Sequence, residues 1–194
     1  MSHRATTEAP GCGAKSALGG FIKRLSPTAH DMNLTSVALF ANVLSFAAFI
    51  LMAVWHIAPR LASLPRAEAL VPLVWVHAFR HIALQIYSAQ KFGFDVSDGA
   101  RNQIAAGDVL GMILAVTALV ALHYRARVAP VLMWLLVAET AFDLAYTTRL
   151  GVEEQLYATA SGTTFLIVTF YVPLLWVTLG LMVWQLHFRR HESL

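Results

Sequence analysis

The stretch at residues 70–90, LVPLVWVHAFRHIALQIYSAQ, decides how the chain folds. It is long enough for one membrane-spanning helix, because a bilayer core about 30 Å thick takes roughly 20 apolar residues. Pro72 falls in its first turn, where a missing amide hydrogen costs nothing. Its middle, however, carries Arg80 with His77 and His81 close by. Spacings of three and four residues place His77, Arg80, His81, Gln85 and Ser88 on one stripe of a regular α-helix, and most of the remaining circumference is apolar. Such a helix is tolerated in lipid when its wet stripe turns inward and finds partners on other helices.

The rest of the chain supplies those helices. Of its 194 residues, 58% are hydrophobic and only 13% charged, which is too apolar for an ordinary soluble domain. Further apolar runs cover residues 34–56, 104–123, 128–147 and 163–186. Asp31 and Asn33 are placed to cap the first of these and Pro59 to end it, while Pro173 inside the last predicts a kink. Gly93, Asp95, Asp98 and Gly99 read as turn residues of the connection at residues 91–101. The link between the third and fourth helices is so short that they must be antiparallel neighbours. The prediction is an all-α integral membrane bundle of five transmembrane helices over residues 34–188. A flexible polar and basic tail at residues 1–33 precedes it, and a short tail at residues 189–194 follows.

Gly, Ser, Ala, Thr and Pro dominate residues 5–26, while Phe21-Ile22-Lys23-Arg24-Leu25 suits one amphipathic turn on lipid headgroups. The first apolar run starts too late and runs too long for a cleaved secretory signal. Cys12 is the sole cysteine, which excludes an intrachain disulfide. The formal charge of +3 comes from basic residues spread over the tail and every loop. A nucleic-acid surface would gather them, so the expected partner is the lipid bilayer, with a homodimer or a larger membrane complex also compatible. Lys and Arg are nearly balanced between the two faces and do not decide the orientation.

The remaining ionisable residues within the predicted helices carry the functional argument. The third helix contains Asp108, and the fourth contains Glu139, Thr140 and Asp143, with the two acids one turn apart. At about 1.5 Å of rise per residue, Arg80 and Glu139 fall near the membrane midplane, and Gln85, Asp108 and Asp143 fall within a turn or so of one another. Asn42, Ser45, Thr169 and Tyr171 are placed to complete a polar lining. One permanently cationic Arg80 then faces three acids, and full ionisation leaves two negative charges uncompensated. Protonated carboxyls, a protonated His77 or His81, or a bound cation would each restore the balance.

Three function classes follow from His77, Arg80, His81, Asp108, Glu139 and Asp143. One is a protein that binds or passes protons or a small polar solute, as protonatable chains at mid-membrane do. Another is a membrane enzyme performing acid-base chemistry on a lipid-like substrate, and the third an accessory or structural subunit of a membrane complex. Two His facing two carboxylates are chemically suited to a divalent metal, but no HExxH or Glu-x-x-His signature is present and Arg80 would repel a cation. His56, His123 and His187 sit at helix ends, so opposed axial ligands for a haem are missing. No cofactor is identified. Residues 11–16, GCGAKS, lack the spacing and preceding strand of a phosphate-binding loop.

From the second helix onward the chain resembles a loosely defined group of small multi-helix bacterial inner-membrane proteins with no established activity. The marks are Phe79-Arg80, Gly107-Asp108, Asp143-Leu144 and Val172-Pro173-Leu174-Leu175. The resemblance implies a multi-pass protein of the bacterial inner (cytoplasmic) membrane and supports Arg80, Asp108 and Asp143 as family features. His77, His81 and Glu139 lie outside that pattern, and it implies no reaction.

Overall fold

The computed structural model describes residues 33–192. The expectations for residues 1–32, including Cys12, the amphipathic turn and the Asp31 cap, lie outside the described residues. The chain is all-α, with helices α1 (Leu34–Ala62), α2 (Arg66–Lys91), α3 (Asp98–His123), α4 (Ala129–Glu153), a short α5 (Leu156–Thr159) and α6 (Gly162–Phe188). Every helix but α5 is long and apolar enough to cross a membrane, which makes this a multi-pass membrane protein.

Helices α2, α3, α4 and α6 form the central bundle, and α1 lies outside it against α5 and α6. Burial agrees: half of the most apolar stretch of α2 is buried against 17% of that of α1. Leu70, Leu73, Leu119, Met133, Leu136 and Met182 fill the core. A smaller cluster of Ile86, Phe94, Val96, Ile104 and Leu156 closes the end where α2 meets α3 and α4 meets α5. Outward faces carry large apolar side chains such as Phe40, Trp55, Val120 and Phe142, as lipid contact requires.

Four helix ends differ from the sequence expectation: α2 begins at Arg66, a turn before residue 70, so Pro72 lies inside the helix and not in its first turn; the other three have local reasons. Asn33 does cap α1, accepting from the Thr35 amide at 3.2 Å, but Pro59 does not end it. A π turn over Ala53–Ile57 precedes the proline, so Ala58 N–H bonds to Ala53 O and the widened ladder accommodates Pro59. Asp98 and Gly99, expected in a turn, form the first turn of α3 because Ser97 accepts from the Ala100 amide at 3.2 Å and starts the helix there. The far end of α4 runs on to Glu153, supported by Arg149 Nε donating to Glu153 at 2.7 Å across one turn.

The same device occurs around Pro173. A π turn over Ile167–Tyr171 sends the Val172 N–H to Ile167 O, and Pro173 has no N–H to offer the next carbonyl. Val168 O is therefore left without a donor from its own helix, and Asn42 Nδ2 of α1 supplies one at 2.9 Å. Asn42 thus ties the peripheral helix to the bundle at the point where α6 is widened. At the other end, Arg66 donates to Leu186 O at 2.9 Å while Arg189 donates to Leu61 O and Leu64 O at 3.0 and 2.7 Å, so two guanidiniums cap the carbonyl ends of each other's neighbours.

Replacing Asn42 by Ala removes the one donor to Val168 O and should lower stability by about 1 kcal/mol. Reversible unfolding in detergent measures it, against Val43→Ala on the exposed face as a control expected within ~0.5 kcal/mol.

Candidate polar site between the central helices

Arg80 is the largest fully buried side chain, and its guanidinium is the hub of the bundle. Nε donates to Asp108 Oδ1 of α3 at 2.9 Å, and Nη1 donates to Glu139 Oε2 of α4 at 3.0 Å and to Thr140 Oγ1 at 3.2 Å. Nη2 pairs with Asp143 Oδ2, one turn further along α4. Thr140 in turn donates to Glu139 Oε2 at 3.3 Å. All three guanidinium nitrogens are thereby bonded to acids from two other helices, the planar-fork arrangement that suits arginine and not lysine.

The helix that carries Arg80 changes its winding to do so. The Phe79–Gln85 segment is a 3₁₀-helix, with ordinary α-helix before and after it. No Pro or Gly lies in this segment, so its own sequence does not call for the tightening. It occurs where Arg80 is gripped from α3 and α4. At three residues per turn the buried line runs through His77, Arg80, Ala83 and Ile86. This corrects the single polar stripe expected from a regular helix: His81 and Ser88 face outward. His81 Nδ1 lies 3.3 Å from Ala78 O of its own helix and takes no part in the acid cluster. His77 is wholly buried, but it faces α6, with Nε2 3.1 Å from Thr178 Oγ1. The His pair and the carboxylates therefore do not converge on one point, and among the described residues no group of three His, Cys, Asp or Glu side chains is arranged to hold a metal.

Two glycines of α3 make room for the cluster. A Cβ on Gly107 would collide with the Asp143 carboxyl. One on Gly111 would lie 2.6 Å from Arg80 Cζ and 2.9 Å from Glu139 Oε2. The spacing Gly107–Gly111, one helical turn, resembles the small-residue motifs that let membrane helices approach, but here the space admits side-chain ions. Sequence reasoning had Gly107 only as part of a dipeptide and missed Gly111. The four-residue interval around Asp108 was the available signal.

A partly enclosed cavity of about 70 Å³ adjoins the cluster. Asp108, Asp143, Thr147, Gln85, Thr164 and Tyr171 contribute its polar wall, and apolar side chains the rest. Asp108 and Asp143 each use one carboxylate oxygen on Arg80, and among the described residues no protein donor bonds the other. A water site needs only ~10–15 Å³, so the cavity has room for several waters or a small solute beside those oxygens. Glu139 Oε1 is buried without a protein partner. Tyr171 hydroxyl donates to Val76 O at 2.8 Å, and Gln85 Nε2 donates to Thr164 Oγ1 at 3.0 Å. Asn42 and Thr169, expected in the polar lining, bond instead to α6 carbonyls, Val168 O and Phe165 O.

Gly111→Ala should force the guanidinium off its acids and destabilise the fold by several kcal/mol, since a displaced charge stays buried. Gly180→Ala, with nothing near its added Cβ, should be neutral or stabilising by up to ~1 kcal/mol. Parallel unfolding curves in detergent compare the two.

No curated protein and no solved structure matches the chain. A family model does match, over residues 37–187, which takes in every residue of the cluster and all five long helices but for residues 34–36 and Phe188. The chain thus belongs to the family described as a domain of unknown function, DUF8737.

Proposed function

We propose that the Arg80, Asp108, Glu139 and Asp143 cluster binds or passes protons or a small polar solute within the membrane. The observation that carries this reading is the meeting of one guanidinium with three acids beside a partly enclosed cavity that two of those acids line. A purely structural ion pair needs one acid per base. The excess here leaves two charges to be balanced by protons or a cation, and the cavity is where such species reach free carboxylate oxygens. His77 adds a second ionisable group one turn from Arg80 on the α6 side.

A structural role for the cluster has one specific observation in its favour, which is that every guanidinium nitrogen is bonded and glycine is placed to admit it. The two readings separate on function. We place the protein in the bacterial inner membrane, as the Phe79-Arg80 and Val172-Pro173 resemblance implies, with residues 34–188 as the membrane domain between a polar and basic tail at residues 1–33 and a short tail at residues 189–194. A homodimer or a larger membrane complex fits the apolar outer faces.

The test is flux in proteoliposomes, using a pH-sensitive dye for protons and methylammonium, sodium and potassium as further probes. The expected outcome is flux above empty vesicles for at least one probe, reduced about tenfold or more (1.4 kcal/mol) in Asp143→Asn and Asp108→Asn. Flux equal to that of empty vesicles for every probe, or unchanged in both variants, overturns the proposal.

A further inference from the structure

The cavity beside the acids joins two unlike surfaces. Asp108 and Asp143, each only 9% exposed, line it with a carboxylate oxygen that Arg80 leaves free. Thr147 follows Asp143 by one turn of α4 and lines it too, and among the described residues its hydroxyl has no hydrogen-bond partner. Against this polar group stand Ile86, Phe94, Ile104 and Leu156, packed together in the smaller hydrophobic cluster and also part of the cavity wall. Ile104 precedes Asp108 by one turn of α3, and Ile86 follows Arg80 by six residues of α2, so the apolar wall lies toward the end of the bundle relative to the acids. Ten of the sixteen lining residues are apolar, which decides what kind of occupant is matched.

Charge selects a cation. Three acids on one guanidinium leave a surplus of negative charge when ionised, and one monovalent cation in the cavity offsets part of it. A bare hard metal ion is a poor match, because it takes six or more oxygens and most of this wall is hydrocarbon. An ammonium group has three N–H donors and needs three acceptors, the number that the free Asp108 and Asp143 oxygens and the Thr147 hydroxyl supply. A hydrocarbon body on that ammonium leaves water and covers the apolar wall. Size sets its length. An apolar cavity of ~150 Å³ holds the six heavy atoms of benzene, so about 70 Å³ takes roughly three, the size of ethylammonium.

We infer that this cavity is a binding site for a short-chain primary alkylammonium ion, with its head at Asp108, Asp143 and Thr147 and its chain toward Ile104 and Leu156. This rests on the cluster being a binding or transit site and names the class of solute. Tetramethylammonium is rejected, since it has no N–H to donate and exceeds the space. Lengthening the chain from one carbon to two buries one more methylene and tightens binding about fourfold. A four-carbon chain outgrows the cavity and loses that gain.

The experiment is saturation-transfer NMR on the full chain in phosphatidylcholine nanodiscs at constant ionic strength, with empty nanodiscs subtracted. It measures dissociation constants for methyl-, ethyl-, n-butyl- and tetramethylammonium. The expected result is saturable binding that tightens about fourfold from methyl to ethyl, weakens about tenfold for n-butyl and is absent for tetramethylammonium. Ile104→Phe, which fills the apolar end, and Thr147→Val, which removes one acceptor at nearly constant volume, should each weaken ethylammonium about tenfold. Val43→Ala on the exposed face of α1 should not, and melting curves establish that each variant is folded. The chain-length series uses the unaltered protein, so misfolding of a variant leaves the test decisive. Binding that does not saturate, that is as tight for tetramethylammonium, or that is unchanged in both cavity variants overturns the inference. If flux of protons or sodium depends on Asp108 and Asp143 while no alkylammonium binds, the transport reading stands and the amine site falls. If ethylammonium binds as expected while the liposomes carry no probe, the amine site stands and passage fails.

Discussion

A guanidinium cannot shed its proton to suit an apolar setting, so Arg80, placed in the middle of a helix that crosses lipid, dictates its own surroundings. Left alone there it would cost several kcal/mol, and the structure answers with acids from α3 and α4 at hydrogen-bond distance on every nitrogen. Much else follows from that demand. α3 carries Gly107 and Gly111 where a side chain would strike the ions, α4 presents Glu139 and Asp143 one turn apart, and α2 tightens to a 3₁₀ winding around the residue being gripped. α2, α3 and α4 are thus locked in register by one cation, in an environment where apolar contact between helices gives little preference over contact with lipid.

The lock is more acidic than a lock requires. Three acids on one base meet the geometric need and exceed the electrostatic one, and the surplus sits beside a cavity instead of being packed away. Low dielectric raises the stakes of any uncompensated charge, and the proposed binding or passage of protons or a small polar solute rests on that surplus. An open cleft at one end of the bundle shares Gln85, Phe94 and Thr164 with that cavity.

Backbone irregularities fall at meaningful places. The π turns before Pro59 and Pro173 let α1 and α6 continue past residues that would otherwise end or break them, and the carbonyl freed at Val168 recruits Asn42 to hold α1. The 3₁₀ segment of α2 brings Arg80 and Ala83 onto one inner line and turns His81 out. At Pro173 the carbonyl released from regular helix geometry is met by a partner on another helix, as the absence of water in the bilayer core demands.

How much of this was legible beforehand can be traced residue by residue. Apolar length alone determined five spanning helices, because a helix buried in lipid must be apolar over a fixed distance whatever it packs against. The convergence of Arg80, Asp108, Glu139 and Asp143 was also readable, since rise per residue sets depth and charges at one depth in lipid must meet. Sequence could not separate His77 and His81 from that set. Their direction depends on whether α2 winds at 3.6 or 3.0 residues per turn, and no residue of Phe79–Gln85 encodes that choice. Nor could it find the role of Gly111 or the cavity behind the acids, both of which exist only between helices distant in the chain. One-dimensional spacing gives depth and periodicity. The angle at which a side chain leaves its helix, and the space it finds there, belong to the packed bundle.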